Sequence, residues 1–582
     1  MKKALSFILT LCMVLGLCSF SVAAAPEGTA ITDAAGFAAM DPAGTYYLAN
    51  DIIVEASYAQ TFTGTLDGNG NTINVYGPLF TSINGATIKN LTVAGNIDGA
   101  AADTAAVAVS ASGAVTFENI VNTATITNAL TGAGILAIAD TTASVTMKNC
   151  RNDADIITSG NAAGLVAFIN KNVSTIENCT NNGEIISTGG SAAGIVACFG
   201  ASDAKADTDK VVITNCVNNA NVFTNGTQAG GMLAYLIGRV EVKNCINKGD
   251  ITSTDNKAGG IIGTSAKSLK YVCAIAVENC VNYGTISAPK VVAGIVGRLG
   301  RAVSFDSMNN YTVKNCINHG EVKSYTEITY DAATLYVGGI VGYSYANSEI
   351  ANGVTNCINL GNITADRSHL TGSSSMYIGG IVAYVNSSNY ICQNNINAGI
   401  FTITGDVSAM GNIIYNKKLD AAAAETNNYS VSAAEGTVDT FTNLISLDQL
   451  ASGEVAYRIN EYAGETIYYQ NLLTDMTPVL SAAEDGSNTV IKNANGTYSN
   501  PVKEPETTVA PETTEAPTTE PAPETTEPAP ETTEPAPETT EPAPETTEPG
   551  SSSNTGDSFV IFAVIAAIAV LGVAVVAKRR EN

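Results

Sequence analysis

Seven cysteines recur directly behind an asparagine along the middle of the chain. The stretches "KNCRN", "ENCTN", "TNCVN", "KNCIN", "ENCVN", "KNCIN" and "TNCIN" pair Asn149 with Cys150, Asn178 with Cys179, Asn215 with Cys216 and Asn244 with Cys245, then Asn279 with Cys280, Asn315 with Cys316 and Asn356 with Cys357. Thiols at such regular positions could ligate zinc, form disulfides or act as nucleophiles. Zinc needs four ligands converging on a tetrahedron, and the motif offers neither a histidine nor a second cysteine two to four residues away. Disulfides are open to an exported chain, but seven is an odd number and bridging needs Cβ atoms about 3.8 Å apart. Weaker copies of the motif carry Leu91 and Ile120 in the cysteine slot, where a thiol would serve as a small buried hydrophobe. Buried free thiols are the favoured reading, one that suits life without oxygen. Cys198, Cys273 and Cys392 fall outside the column, and their state is open.

The remaining reactive side chains are few. His319 occupies a variable slot that other copies fill with Lys248, Tyr283 or Leu360, so it reads as an exposed turn residue. His369, in "ADRSHLTGSSSMY", reads as part of a surface loop. Asp203, Asp207 and Asp209 in "SDAKADTDK" are hard oxygen ligands of the kind calcium favours, but the spacing is not that of an EF-hand and a solvated loop is the default. Glycoside hydrolysis would need two carboxylates facing one groove at about 5 to 10 Å, and Asp67 in "LDGNGNTI" lacks a neighbouring aspartate. These patterns assign no catalytic residue, no metal and no cofactor. Binding residues are expected instead in the stretches that break the repeat: 264–275, 298–312, 323–336 and 365–377.

What must hold these residues in place is the repeat itself. About ten copies, counting "KNLTVAGNI", "ENIVNTATI" and "QNNINAGIF", follow one another at intervals of 29 to 41 residues. Most copies have a Gly-apolar partner such as "AGIVA", "GGIIG" or "GGIVG". Each unit reads as three short strands with Gly and Asn at the corners. Such strands satisfy their backbone groups only by pairing with the coil above and below, about 4.8 Å away, which describes an all-β parallel β-helix over residues 26–419. Asn244 and Asn247, with their counterparts, then stack into amide ladders.

The Gly-apolar-apolar-Gly runs "GGIIG" and "GGIVG" resemble the GLUG motif of bacterial surface proteins. The opening "ITDAAGFAAMDPAGTYYLANDIIV" and the later "LASGEVAYRINEY" and "YYQNLLTDMTPVLS" look like the first coils and the closing module of the same group. The resemblance implies a right-handed β-helix displayed on the cell surface, with adhesion as its use. It implies a cap over residues 420–500, where "SLDQLASGEVAYRINEYAG" would form a short helix covering the exposed last coil.

The ends of the chain speak about location. Residues 1–25 combine Lys2 and Lys3, an apolar stretch and "SVAAA", the pattern of a signal peptide. Its removal makes a chain of formal charge −26 more acidic still, which argues against a nucleic-acid partner. Residues 501–550 repeat "PAPETTE" and cannot build a core; frequent proline extends them into a stalk. Residues 551–582 hold the apolar span from Phe559 to Ala577, long enough to cross a bilayer, and then "KRREN". With Thr555 and Gly556 ahead of the span, this end resembles a Gram-positive cell-wall sorting signal, although Ser552 and Ser553 replace its usual Leu and Pro. The expected function is that of a non-catalytic binding protein, held to wall or membrane outside the cell, whose ligand is a host or microbial glycan or protein. A carbohydrate-active enzyme and a structural spacer are the alternatives.

If a transpeptidase cuts between Thr555 and Gly556, wall digestion should release a protein ending at Thr555 with a peptidoglycan fragment attached, and Thr555→Ala should move the protein to the membrane fraction. Mature protein ending at Asn582 would mean a plain transmembrane anchor.

Overall fold

A computed structural model describes residues 26–501 except 201–208, 266–273, 301–309, 325–329, 332, 346–351, 369, 372–373, 386–389, 417–426 and 432–442. The repeat forms a parallel β-helix of roughly ten coils. One coil shows how. Where three strands are expected per unit, five short segments occur: Arg239–Lys243, Ile246–Asn247, Ile251–Ser253, Lys257–Gly259 and Ile262–Ser265. Each pairs in parallel with its counterparts before and after, so Val240 lies between Val211 and Ile275, and Asn247 between Asn218 and Asn282. Stacked along the axis, the first segments make a sheet of 13 strands, the fifth one of 11 and the fourth one of 10. We number these segments and their stacked faces one to five in chain order.

The corners follow from residue type. Asn244 has φ 54°, and the same asparagine in the other coils, from Asn90 to Asn394, lies between 52° and 58°. Among non-glycine residues asparagine tolerates this left-handed conformation best, which explains why the step is Asn-Cys rather than another polar residue before Cys. At the fourth corner Gly260 packs onto the next coil; a Cβ there would lie 2.0 Å from the Gly294 carbonyl oxygen and 2.6 Å from the Asn282 side chain. The Gly-Gly-Ile-Val-Gly run is therefore a close-approach site, where backbone meets a buried amide column.

Inside, Val240, Val242, Cys245, Ile251, Ala258 and Ile262 contribute to one continuous core that runs from Ile31 to Ile414. In-register stacking places like on like, which suits aliphatic side chains and would repel for charges. On the outer side of face one the sign alternates instead: Lys89 pairs with Glu118, Glu118 with Lys148 and Lys148 with Glu177. Opposite charges on neighbouring strands contribute about 0.2–1 kcal/mol per pair, and a slip that aligned like charges would lose it. At the N-terminal end Phe37, from the short helix Ala34–Ala38, packs its ring 6.0 Å from Tyr58 and 5.8 Å from Phe80.

The closing module sits differently from the expected cover on the last coil. Tyr429–Ser430 and Asn443–Leu444 continue face two beyond Ile396 in parallel pairing. The chain then enters the helices Leu447–Ala451, with a Ser446/Gln449 capping box, and Glu454–Ala463. Val455, Ala456 and Ile459 of the second helix share a buried cluster with Val281, Ile317, Ile358 and Ile396, the outward residues of four successive coils. Tyr468, fully buried, donates its hydroxyl to the Asn356 carbonyl at 2.5 Å. The module thus folds back along the flank of the solenoid. The apolar surface that receives it is the aliphatic stripe on face two. Among the described residues no helix is long and apolar enough to cross a membrane; the span from Phe559 and the sorting-like Thr555 and Gly556 lie outside them.

Asn247→Ala should destabilise the fold by about 1–3 kcal/mol, because it strands buried partners on both sides. Asn244→Gly should cost much less than Asn244→Ala, since alanine in the left-handed region costs about 1–2 kcal/mol. Chemical denaturation of the three variants checks both statements; equal losses at Asn244 for Gly and Ala would contradict the assigned backbone role.

Candidate functional site

Two amide columns and one thiol column run the length of the repeat. In the outer column the asparagines donate toward the N-terminal end: Asn244 to Asn215 Oδ1 at 3.1 Å, Asn279 to Asn244 at 3.2 Å and Asn315 to Asn279 at 3.0 Å. It begins at Asp67, whose carboxylate accepts from Asn90 at 3.0 Å and pairs with Lys89 at 3.3 Å. Asp67 is thus the foot of a ladder. The inner column, fully buried, donates the opposite way: Asn218 to Asn247 and Asn247 to Asn282, both at 2.7 Å. Each inner amide from Asn122 to Asn359 also closes its own corner, as Asn247 does on the Gly249 carbonyl at 2.7 Å, so that both its N–H groups are spent; the buried Asn397 amide nitrogen, at the end of the column, has no acceptor. The outer amides of Asn244, Asn279 and Asn315 spend one.

Between the columns stand the cysteines. Cys150, Cys179, Cys216, Cys245, Cys280, Cys316 and Cys357 are buried free thiols, as is the off-column Cys198; the off-column Cys392 is buried too and accepts from the Asn395 amide at 3.5 Å. Cys245 donates to the Lys243 carbonyl at 3.2 Å and accepts the Cys216 backbone N–H at 3.5 Å. Burial pushes the Cys150, Cys216, Cys245 and Cys316 thiols well above their ordinary range, and Cys198 up to about 12, whereas hydrogen bonds from the neighbouring thiols hold Cys179 low and, against burial, Cys280 also. All of them are buried, and thiols closed off from a substrate are poorly suited to nucleophilic attack. Among the described residues no group of three or more His, Cys, Asp or Glu is arranged to hold a metal ion. Of the aspartate trio only Asp209 is described; it is buried and accepts the Asn172 N–H at 3.0 Å. His369, Cys273, Asp203 and Asp207 lie outside the described residues.

His319 departs from its expected exposed turn. Its ring stacks on Tyr283 at 4.6 Å and 13°, and desolvation lowers its pKa. It remains a stacking partner in the repeat slot rather than a member of a catalytic group.

Two surface features went unread in the sequence. The first is a tyrosine corner where faces four and five meet. Tyr336 and Tyr377 stack at 5.5 Å, Tyr343 and Tyr384 at 5.6 Å, and Tyr336 meets Tyr343 edge-on at 4.9 Å. Tyr415 extends the group, and the Arg298 guanidinium lies 5.0 Å over the Tyr343 ring. The signal was present as "YVGGIVGY" and "YIGGIVAY" in consecutive coils, overlooked because the Gly-Gly run was read alone. The second is a cleft of about 490 Å³ between the closing module and the coil flank. Asn244, Asn279, Asn315, Glu278, Ile246 and Val281 line it from the coils, and Glu465, Ile467, Tyr469 and Leu480 from the module. Only folding brings these two sets, some two hundred residues apart, together.

No family model matches the chain and no curated protein matches it, so the GLUG resemblance rests on the quoted motifs. Solved structures it is similar to include a candidate immunoglobulin A1 protease from Bacteroides ovatus, at 15% identity and TM-score 0.27, over 78% of this chain and 94% of that one. Another is an IgA1 protease at 18% identity and TM-score 0.27, over 50% of this chain and 22% of that one. Likenesses this slight carry nothing about chemistry.

His319 yields a pH prediction. Its lowered value means the unfolded chain takes up a proton first as pH falls, so the stacked imidazole contributes stability that is complete above about 6.5 and is lost on acidification. Between pH 7.5 and 5 the wild type should lose more stability than His319→Leu, which copies Leu360 of the next coil. Identical losses would contradict the partly desolvated stack.

Proposed function

We propose that this chain is a non-catalytic binding protein, an adhesin displayed outside the cell on wall or membrane. The observation that supports it is the tyrosine corner. Tyrosine and arginine dominate the energetics of recognition surfaces because they offer large contact area at low entropic cost. Here Tyr336, Tyr343, Tyr377, Tyr384 and Tyr415 hold one another in place, so little order remains to be imposed on binding. Their faces are mostly spent on each other, and what they offer a partner is ring edges and hydroxyls. The corner adjoins the stretches 323–336 and 365–377, and the solenoid beneath is rigid. The signal-peptide and sorting-like ends supply the location, and the acidic charge speaks against nucleic acid as partner.

A second reading, a carbohydrate-active enzyme, draws on one observation: Glu278 and Glu465 line the same cleft from opposite elements. The two readings part in one experiment. Residues 26–500 would be screened against glycan and matrix-protein arrays and assayed for polysaccharide degradation. Tyr343→Ser with Tyr384→Ser should weaken capture about tenfold or more, while the two Tyr→Phe changes keep the stack and separate support from hydroxyl recognition. Degradation of a polysaccharide, or binding indifferent to both tyrosines, would overturn the adhesin reading at this corner.

A further inference from the structure

The cleft beneath the closing module has a composition that the tyrosine corner does not explain. Its floor is the outward stripe of face two. That column changes character along the chain: Arg151 and Thr180 in the early coils, then Val217, Ile246, Val281, Ile317, Ile358 and Ile396. The module buries Val281, Ile317, Ile358 and Ile396, but the aliphatic stripe begins two coils earlier, and Val217 and Ile246 stay half-buried. Apolar floor therefore continues past the covering element.

Along the rim stand the outer-column amides. Asn244, Asn279 and Asn315 each spend one side-chain N–H on the preceding coil, and among the described residues the second N–H of each has no acceptor. What that second group can do is visible at Asn394. It donates to Asn356 Oδ1 at 2.7 Å and also to the Ile459 carbonyl of the module at 2.9 Å, without breaking the ladder. In the cleft the same N–H meets open space. Carboxylate acceptors complete the rim: Glu278, paired with Lys243 at 3.7 Å, and Glu465 across from it. Tyr469 adds an aromatic surface.

We propose that this cleft binds an uncharged saccharide chain, with ring C–H faces on Ile246 and Tyr469 and hydroxyls bonded to the spare amide N–H groups and to Glu278 and Glu465. Sugars combine an apolar ring face with a girdle of groups that both donate and accept, which is what floor and rim require. The donors repeat about every 4.8 Å, near the length of one sugar ring. An extended peptide lying along the axis fits worse, because its same-face positions recur at about 6.6 Å. An anionic ligand would face two carboxylates. The cleft volume falls within the range of about 300–1,000 Å³ usual for ligand sites. This inference rests on the reading of the chain as an extracellular binding protein, but not on the tyrosine corner.

The full chain in detergent would be titrated with neutral oligosaccharides chosen by glycan array. Asn279→Gly keeps the left-handed backbone and removes only the amide; Glu465→Gln keeps the shape and removes the charge. Each should weaken binding about tenfold; Glu465→Gln should leave thermal unfolding unchanged, and Asn279→Gly should lower it only as far as Asn119→Gly, the same ladder change away from the cleft, which should leave binding intact. Wild-type affinity in both variants, with binding lost in Tyr343→Ser/Tyr384→Ser, would overturn the cleft assignment and leave the adhesin reading standing. Failure of the wild-type chain to bind any neutral saccharide, while protein ligands still bind, would overturn it in the same way. Cleavage of the bound chain, abolished by Glu465→Gln, would support the cleft and overturn the non-catalytic reading.

Discussion

The structure depends on one constraint: each coil must present to the next a copy of its own edge. Parallel pairing at about 4.8 Å satisfies the backbone, but it says nothing about register along the strand. The buried asparagines supply that. A slip of one residue would move Asn247 out of the column between Asn218 and Asn282 and leave amides on both sides without partners, at a cost no aliphatic contact offsets. The two amide columns also run in opposite directions, outer toward the N-terminal end and inner toward the C-terminal end, so their dipoles oppose rather than add.

The thiols follow from the same rule. A side chain between the two amide columns faces the core and has to be apolar, a demand that Ile120 meets in an early coil and that cysteine meets while also donating to a carbonyl at 3.2 Å. Where the column ends, Asn395 takes the slot and accepts the Cys357 N–H at 2.9 Å, so a polar group replaces sulfur only next to the closing strands. Regularity that looked like chemistry is packing.

On the proposed reading, function falls to whatever departs from the repeat. Self-copying faces offer a partner little that is specific to one place, whereas the tyrosine corner and the module cleft each occur once among the described residues. As proposed binding sites, both would use the ladder as a backing, since groups on ordered coils need little further fixing when a ligand arrives.

The amino-acid sequence by itself determined the repeat, the parallel stack, the inward column of cysteines and the asparagine corners, because each is a local pattern copied many times and a parallel stack converts period directly into contact. It also carried two signs that went unread: the shift from Arg151 and Thr180 to isoleucine in the slot after cysteine, and the tyrosines flanking two consecutive Gly-Gly runs. Tertiary structure alone decided where the closing module lies. The sequence marks that segment as helical, but whether its apolar side covers a terminal edge or a flank depends on where an apolar surface stands ready to receive it, and here that surface is assembled from four coils. The same folding back created the cleft, setting Glu465 and Tyr469 opposite Asn244 and Glu278. No spacing along the chain encodes that meeting; it arises from how far a stripe of isoleucines extends beneath a module that covers only part of it.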